Sequence, residues 1–149
     1  MKAFNYIFLL LLLLLYSCSN ILNCEKQKIL NPKNGEVIYL KYCLYGNGHE
    51  ATFISLDSIY KDPVDSTNEY IADYDNPLFF YKLSYDTFYI YCYGLFQIPK
   101  NHSQFKTKIK MVDMGFDEWD KMKKDYKKLG LKVFPSCHFN EEDTVKVDD

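Results

Sequence analysis

The stretch that decides the fold is residues 78–96, LFFYKLSYDTFYIYCYGLF, in which two aromatic-rich runs flank a short polar break. Aromatic residues favour strands, so the pattern predicts strands over LFFYKL (78–83) and TFYIYCYGLF (87–96). Ser84-Tyr85-Asp86 supplies residues that favour a turn between them. The two runs therefore predict neighbouring strands near the middle of the chain.

The second of these strands carries a row of tyrosines. Because side chains alternate between the two faces of a strand, Tyr89, Tyr91 and Tyr93 share one face. A strand that is buried on both sides would show this pattern. An exposed row of tyrosines would instead stack on sugars or form the centre of a protein interface. Both interpretations stay open at this point.

Earlier in the chain, Glu36 to Tyr45 reads EVIYLKYCLY, with apolar residues at its even positions. A turn signal at Gly46-Asn47-Gly48 follows, and residues 51–56 are predicted to return as the second strand of a hairpin. Residues 57–77 contain six acidic side chains and two prolines and are predicted to form an acidic loop.

A lysine-rich segment follows the tyrosine strand. Residues 105–111 read FKTKIKM, so Lys106, Lys108 and Lys110 alternate with apolar or small residues. Such alternation predicts a half-buried strand with a lysine face in water. Together with the three tyrosines, these lysines form a candidate binding surface. Residues 100–132 hold ten lysines and five acidic residues, which suits either an anionic partner or a simple solvated face.

One amphipathic helix is predicted over residues 117–129, with Asp117 as its N-cap and Gly130 as its closing residue. Its apolar face is formed by Trp119, Met122, Tyr126 and Leu129. Strands followed by one helix and a short strand predict an α+β fold, a mostly antiparallel sheet with this helix packed on it near the C-terminus. The predicted domain covers residues 36–134, and residues 135–149 form an acidic, flexible tail.

Composition excludes several classes of protein. The chain has 149 residues and a net charge of −2, and all 18 of its basic residues are lysines. Without arginine it lacks the bidentate donor that reads guanine and phosphate, so no nucleic-acid partner is expected. An aromatic content of 17% excludes a wholly disordered chain.

The N-terminus has the features of an export signal. Lys2 precedes YIFLLLLLLLY (6–16), an apolar run of eleven residues that is too short to span a bilayer but suits a signal peptide. Leu15-Tyr16-Ser17-Cys18 resembles the lipobox of bacterial lipoproteins, although Tyr16 departs from the small or β-branched residue usual there. The lysine-rich composition and Cys-Ser-Asn start resemble lipoproteins of the Bacteroidetes group.

The resemblance implies that residues 1–17 are removed, that Cys18 is acylated, and that residues 18–35 tether the domain to a membrane. The expected location is the cell envelope, at the outer membrane or a periplasmic face. An ordinary secretory peptide, cut after Ser19, is the alternative and would give a secreted protein.

The remaining cysteines permit two disulfides in an exported chain. The candidates are Cys24, Cys43, Cys92 and Cys137. Cys43 lies opposite its strand's apolar face and Cys92 on an expected inward face, which weakens a Cys43–Cys92 bridge. A bridge between Cys24 and Cys137 is then preferred, and buried or free thiols are the alternative.

No catalytic motif, metal-ligand spacing or cofactor motif is recognised. His49-Glu50 begins like a zinc-protease motif, but the second histidine position is Phe53. We therefore expect a non-enzymatic envelope protein that binds another envelope protein or a glycan. A periplasmic inhibitor or immunity protein is one alternative, and a hydrolase with an unrecognised carboxylate pair is another.

Overall fold

The strands predicted within residues 78–96 form a hairpin between Phe79 and Cys92. A computed structural model describes residues 21–45, 48–60, 66–72, 77–94 and 96–138. Phe79–Ser84 pairs antiparallel with Thr87–Cys92 in continuous register. The turn between them holds Tyr85 at a positive φ of 59°. The strand and turn predictions for this stretch are confirmed, except that the second strand ends at Cys92.

The described residues contain nine strands and one α-helix. In chain order these are β1 (Ile21–Leu30), β2 (Val37–Tyr45), β3 (Glu50–Ser55), β4 (Tyr70–Ala72), β5 (Phe79–Ser84), β6 (Thr87–Cys92), β7 (Phe96–Gln97), β8 (Lys108–Asp113), α1 (Phe116–Asp125) and β9 (Lys132–Phe134). Short 3₁₀ turns occur at His102–Gln104 and Ser136–His138. The fold is α+β, as predicted.

The strands form two sheets. The five-stranded sheet has the order β1-β2-β3-β4-β7, and the four-stranded sheet has the order β8-β6-β5-β9. All pairings are antiparallel except that of β6 with β8. Because β7 belongs to the other sheet, the chain leaves the four-stranded sheet after β6 and returns to it at β8.

The main hydrophobic core lies between the two sheets. Ile38, Leu40 and Ile54 of the five-stranded sheet share it with Phe88 and Ile90 of the four-stranded sheet, and all five side chains are fully buried. Fully burying such a side chain contributes about 1.5–3 kcal/mol relative to leaving it exposed. The inward side chains of β2 occupy the even positions that the sequence predicted to be apolar.

The predicted tether over 18–35 is wrong for the described part, because residues 21–30 are strand β1 and pair with β2 along its whole length. Its half-buried side chains include Glu25 and Gln27, so it lacks an apolar alternation. The ordered domain therefore begins before residue 36.

The predicted acidic loop also contains a strand, β4, which pairs with both β3 and β7.

The predicted flexible tail is also wrong at its start. Ser136 and Cys137 are held against β1, where the Ser136 hydroxyl and both backbone amides donate to the Glu25 carboxylate. Burial alone would raise the pKa of Glu25, but these hydrogen bonds lower it below its ordinary value. The prediction for residues 139–149 lies outside the described residues.

The helix is shorter than predicted and begins at Phe116. Its N-cap is Gly115, not Asp117, and the Glu118 carboxylate accepts a hydrogen bond from the Gly115 amide at 3.3 Å. Leu129 lies beyond the helix and is 53% exposed, so its place in the apolar contact is taken by Leu131. Gly130 has a φ of +67° and takes the left-handed closing conformation, as predicted.

Candidate binding surface

Helix α1 covers one part of the outer face of the four-stranded sheet. Phe80 of β5 is fully buried there, with its ring centroid 5.0 Å from that of Trp119 and 5.2 Å from that of Tyr126. Such tilted aromatic contacts contribute about 0.5–1.5 kcal/mol beyond the area they bury. These contacts fix the helix over the end of the sheet where Phe80 lies.

The other part of this outer face presents lysines around a tyrosine. Lys82, Tyr89, Lys108 and Lys110, here called the lysine–tyrosine patch, lie on neighbouring strands of the outer face. The Nζ atoms of Lys82 and Lys110 are 5.9 and 5.7 Å from the Tyr89 ring centroid. These distances are within the range of cation–π attraction, so the cations and the ring form one surface.

Among the described residues, one acidic side chain forms an ion pair with the patch. The Nζ of Lys108 is 3.5 Å from Asp86, and this lysine is 75% exposed. A hydrogen bond from the Thr87 hydroxyl, followed by the charge of Lys108, lowers the pKa of Asp86 below its ordinary value. Because Asp86 stays ionised, it offsets one of the three lysine charges.

An apolar groove continues from the patch toward the helix. It has a volume of about 610 Å³ and lies between α1 and the strands β6 and β8. Its apolar lining consists of Tyr91, Val112, Met114, Met122 and Leu129. Glu118, Lys121, Asp125 and Lys128 form its charged rim. Patch and groove together give a surface with a basic end and an apolar end.

The structure brings together only some of the predicted surface residues. Tyr89, Lys108 and Lys110 belong to the patch. Tyr91 lines the groove and packs against the helix cluster, so it fits the core interpretation more closely. Tyr93 lies beyond β6, where its ring contacts Phe116 at 6.2 Å.

Lys106 precedes β8, and its backbone amide donates to the Glu36 carboxylate at 2.8 Å. Lys82 was missed by the sequence analysis. It lies directly opposite Tyr89 in the hairpin register, so a two-residue turn at 85–86 would have predicted it.

A buried ion pair on the outer face of the five-stranded sheet was also missed. Lys41 is 1% exposed and Glu69 is 3% exposed, and their Nζ and Oε1 atoms lie 2.5 Å apart. Lys41 also donates to the backbone oxygen of Ile59 at 2.9 Å. No signal in the sequence links these residues, because they are 28 positions apart.

Glu69 also lines a polar pocket of about 380 Å³ that includes Ser55, Asp57 and Gln104. This pocket holds two carboxylates, as the hydrolase alternative requires. The Glu69 carboxylate, however, already accepts a hydrogen bond from the Lys41 ammonium. The pocket gives that alternative weak support.

Two of the candidate cysteines, Cys92 and Cys43, lie on different faces of the five-stranded sheet. Cys92 lies in the core between them, where burial and then the charge of Asp113 raise its pKa to about 11. Cys43 is buried in the cluster on the opposite face of the five-stranded sheet. Within the described residues, Cys92 and Cys137 form no disulfide. Cys24 lies opposite Cys43 in the β1–β2 register, and the disulfides stay a prediction.

The comparisons with known proteins add no assignment. No protein-family model matches the chain, and no significant match was found among curated proteins or solved structures. Within the described ranges, no group of histidine, cysteine or acidic side chains could hold a metal ion. No helix in that part of the chain is long and apolar enough to span a membrane. Cys18 and the signal segment lie outside it.

Proposed function

We propose that this chain is a non-enzymatic binding protein, held at a membrane of the cell envelope by acyl chains on Cys18. The observation that carries the binding role is the incomplete cover of the four-stranded sheet. Within the described residues, the helix covers one part of the outer face, and Tyr89 lies between Lys82 and Lys110 on the same strand face as the groove-lining Tyr91. An aromatic ring beside lysine cations suits an anionic protein or glycan.

The proposed anchor follows from the lipobox resemblance. Each buried acyl CH₂ contributes about 0.8 kcal/mol, so two chains hold a protein at a membrane while one binds only marginally. In this proposal the anchor places the β-rich domain at the membrane surface, and the patch and groove select the partner. A periplasmic inhibitor would use the same surface against an enzyme.

The anchor is tested by expressing the full chain and its Cys18→Ala variant in an envelope-bearing bacterium and fractionating the cells. We expect the native chain in the membrane fraction with an acylated N-terminal cysteine in its mass spectrum. The variant should lose both properties. If the Cys18→Ala protein keeps its leader and still fractionates with membranes, the lipid anchor is refuted.

The binding role is tested by capture from envelope extract with the tagged full chain and matched variants. Tyr89→Ala and Lys110→Glu should each lose a partner that the native chain retains. Lys132→Glu, an exposed charge change at the opposite edge of the same sheet, should keep it. If all three variants capture the same proteins and glycans as the native chain, the patch is not the binding surface.

A further inference from the structure

Among the described residues, strand β8 has no partner along one side of its backbone. In the four-stranded sheet it pairs with β6 alone and forms the edge. The amides of Lys108 and Met114 donate toward β6, to the backbone oxygens of Asp86 and Cys92, each at 2.9 Å. Backbone groups point to alternate sides along a strand. The amides directed at the open side are therefore those of Ile109, Met111 and Asp113.

The other long edge strand, β1, is partly covered by its own chain. The Tyr60 hydroxyl donates to the backbone oxygen of Glu25 at 2.9 Å. The Glu25 carboxylate holds Ser136 against the same strand. The remaining edge strands β7 and β9 have two and three residues. In the described part of the chain, β8 is therefore the edge best suited to accept another strand.

The side chains of β8 indicate what such a strand would carry. On the outer face, Lys108 and Lys110 are exposed. On the inner face, Ile109 and Met111 are only partly buried and pack against the core. Lysines on an edge discourage pairing with neutral strands, but carboxylates opposite them make the pairing favourable. An added strand would thus place acidic residues on one face and apolar residues on the other.

We infer that β8 is the docking site for an extended peptide segment of a partner protein, in which acidic and apolar residues alternate. This segment adds to the four-stranded sheet as a further strand. Its main chain bonds to the open side of β8, its carboxylates meet Lys108 and Lys110, and its apolar side chains extend the core beside Ile109 and Met111. The inference rests on the proposed binding function and names the partner's chemistry.

The test measures fluorescence polarisation of a labelled Glu-Val-Glu-Val-Glu-Val peptide with the full chain. We expect saturable binding, at least a tenfold weaker affinity for Lys108→Glu/Lys110→Glu, and an affinity within twofold of native for the Lys132→Glu control. A Lys-Val-Lys-Val-Lys-Val peptide should not bind. Equal binding of the acidic peptide by native and charge-reversed protein would overturn the inference.

Strand addition is separated from simple charge attraction by two further peptides. One carries N-methyl groups on the glutamate amides and the other on the valine amides, so that each blocks a different edge of the extended peptide. Only one edge faces β8, so one peptide should lose binding while the other keeps it. Equal affinities of the two peptides, including equal loss, would refute strand addition.

Failure of this inference is distinguishable from failure of the proposed function. If the acidic peptide does not bind while Tyr89→Ala still loses a captured envelope partner, the edge-docking mode is wrong and the binding role stands. If the peptide does not bind and the captured material is unchanged in both Tyr89→Ala and Lys110→Glu, the edge-docking mode and the binding role are both refuted.

Discussion

The buried Lys41–Glu69 pair gives the sharpest prediction about stability. Both side chains are almost fully buried, and a second hydrogen bond joins Lys41 to the backbone of Ile59. In Lys41→Met, the Glu69 carboxylate is left without its cation. Removing one partner of a buried ion pair costs about 3–5 kcal/mol. Because small domains have a total stability of about 5–15 kcal/mol, this change alone should bring the protein close to unfolding.

Removing both charges should be much less harmful. In the double variant Lys41→Met/Glu69→Leu, no charge is left buried, and replacing such a pair by apolar side chains is often neutral or stabilising. Ile59 is 63% exposed, so water can bond to its carbonyl once the lysine is gone. The double variant should therefore be at least about 2 kcal/mol more stable than Lys41→Met.

Equilibrium unfolding in urea, followed by the fluorescence of Trp119, measures these differences, since the chain has one tryptophan. With a slope of about 2 kcal/mol per M, Lys41→Met should lower the midpoint by about 1.5–2.5 M. Lys128→Met is the matched control. Its partner Asp125 lies 3.0 Å away, but Lys128 is 81% exposed, so the loss should be below about 1 kcal/mol. The reasoning is refuted if Lys41→Met costs no more than Lys128→Met, or if the double variant is the least stable.

Three further predictions concern the helix, its end and the C-terminal contact. Phe80→Ala should cost about 3–5 kcal/mol and move the emission of Trp119 to longer wavelength, because it removes the ring on which the helix packs; an unchanged spectrum and urea midpoint would contradict this. Gly130→Ala should cost about 1 kcal/mol in the same assay, because its φ of +67° disfavours a side chain although an added Cβ would meet nothing within 4 Å. The hydrogen bonds to Glu25 lower its pKa in the folded state, so they stabilise the fold at pH values above the unfolded-state pKa. That stabilisation is lost as the pH falls through the folded-state pKa. Amide exchange by NMR should therefore show protection of Cys137 decreasing at acid pH in the native chain, with Glu25→Gln already weakly protected near neutral pH.

The sequence predicts this fold best where side chains alternate strictly. The even positions of β2 point into the core, as the pattern Ile38, Leu40, Tyr42 indicates. Residues 105–111 also alternate as predicted, although the strand itself begins at Lys108. In both segments one apolar face packs against a single core, so local pattern and tertiary burial agree.

The pattern fails where polar side chains face inward. Strand β1 directs Glu25 and Gln27 to the partly buried side, and Glu25 is used there to hold Ser136 from the far end of the chain. Strand β4 has three residues and lies within an acidic segment, so it is too short for an alternation to be read. Both strands depend on pairing with distant segments, which composition does not reveal.

The candidate surface was partly predictable for the same reason. Tyr89, Lys108 and Lys110 follow from alternation along two strands. To predict that they lie beside Lys82, one also needs the hairpin register and the parallel pairing of β6 with β8. Predicting the groove requires the position of the helix on the sheet. The sequence also predicted too long a helix at its C-terminal end. Leu129, expected on the buried helix face, is exposed and lines the groove.

The two outer sheet faces differ in a way that supports the binding role. On the five-stranded sheet, the outward residues of β3, Ala51, Phe53 and Ser55, are all buried, and a buried ion pair lies beside them. On the four-stranded sheet, the outward residues of β6 are only half-buried. Core formation alone would favour covering both faces, because each square ångström of apolar surface removed from water contributes about 25 cal/mol. In the described part of the chain, Tyr60 packs against the first face, whereas the second face lies open beside the unpaired edge of β8, where a partner strand would supply the missing contacts.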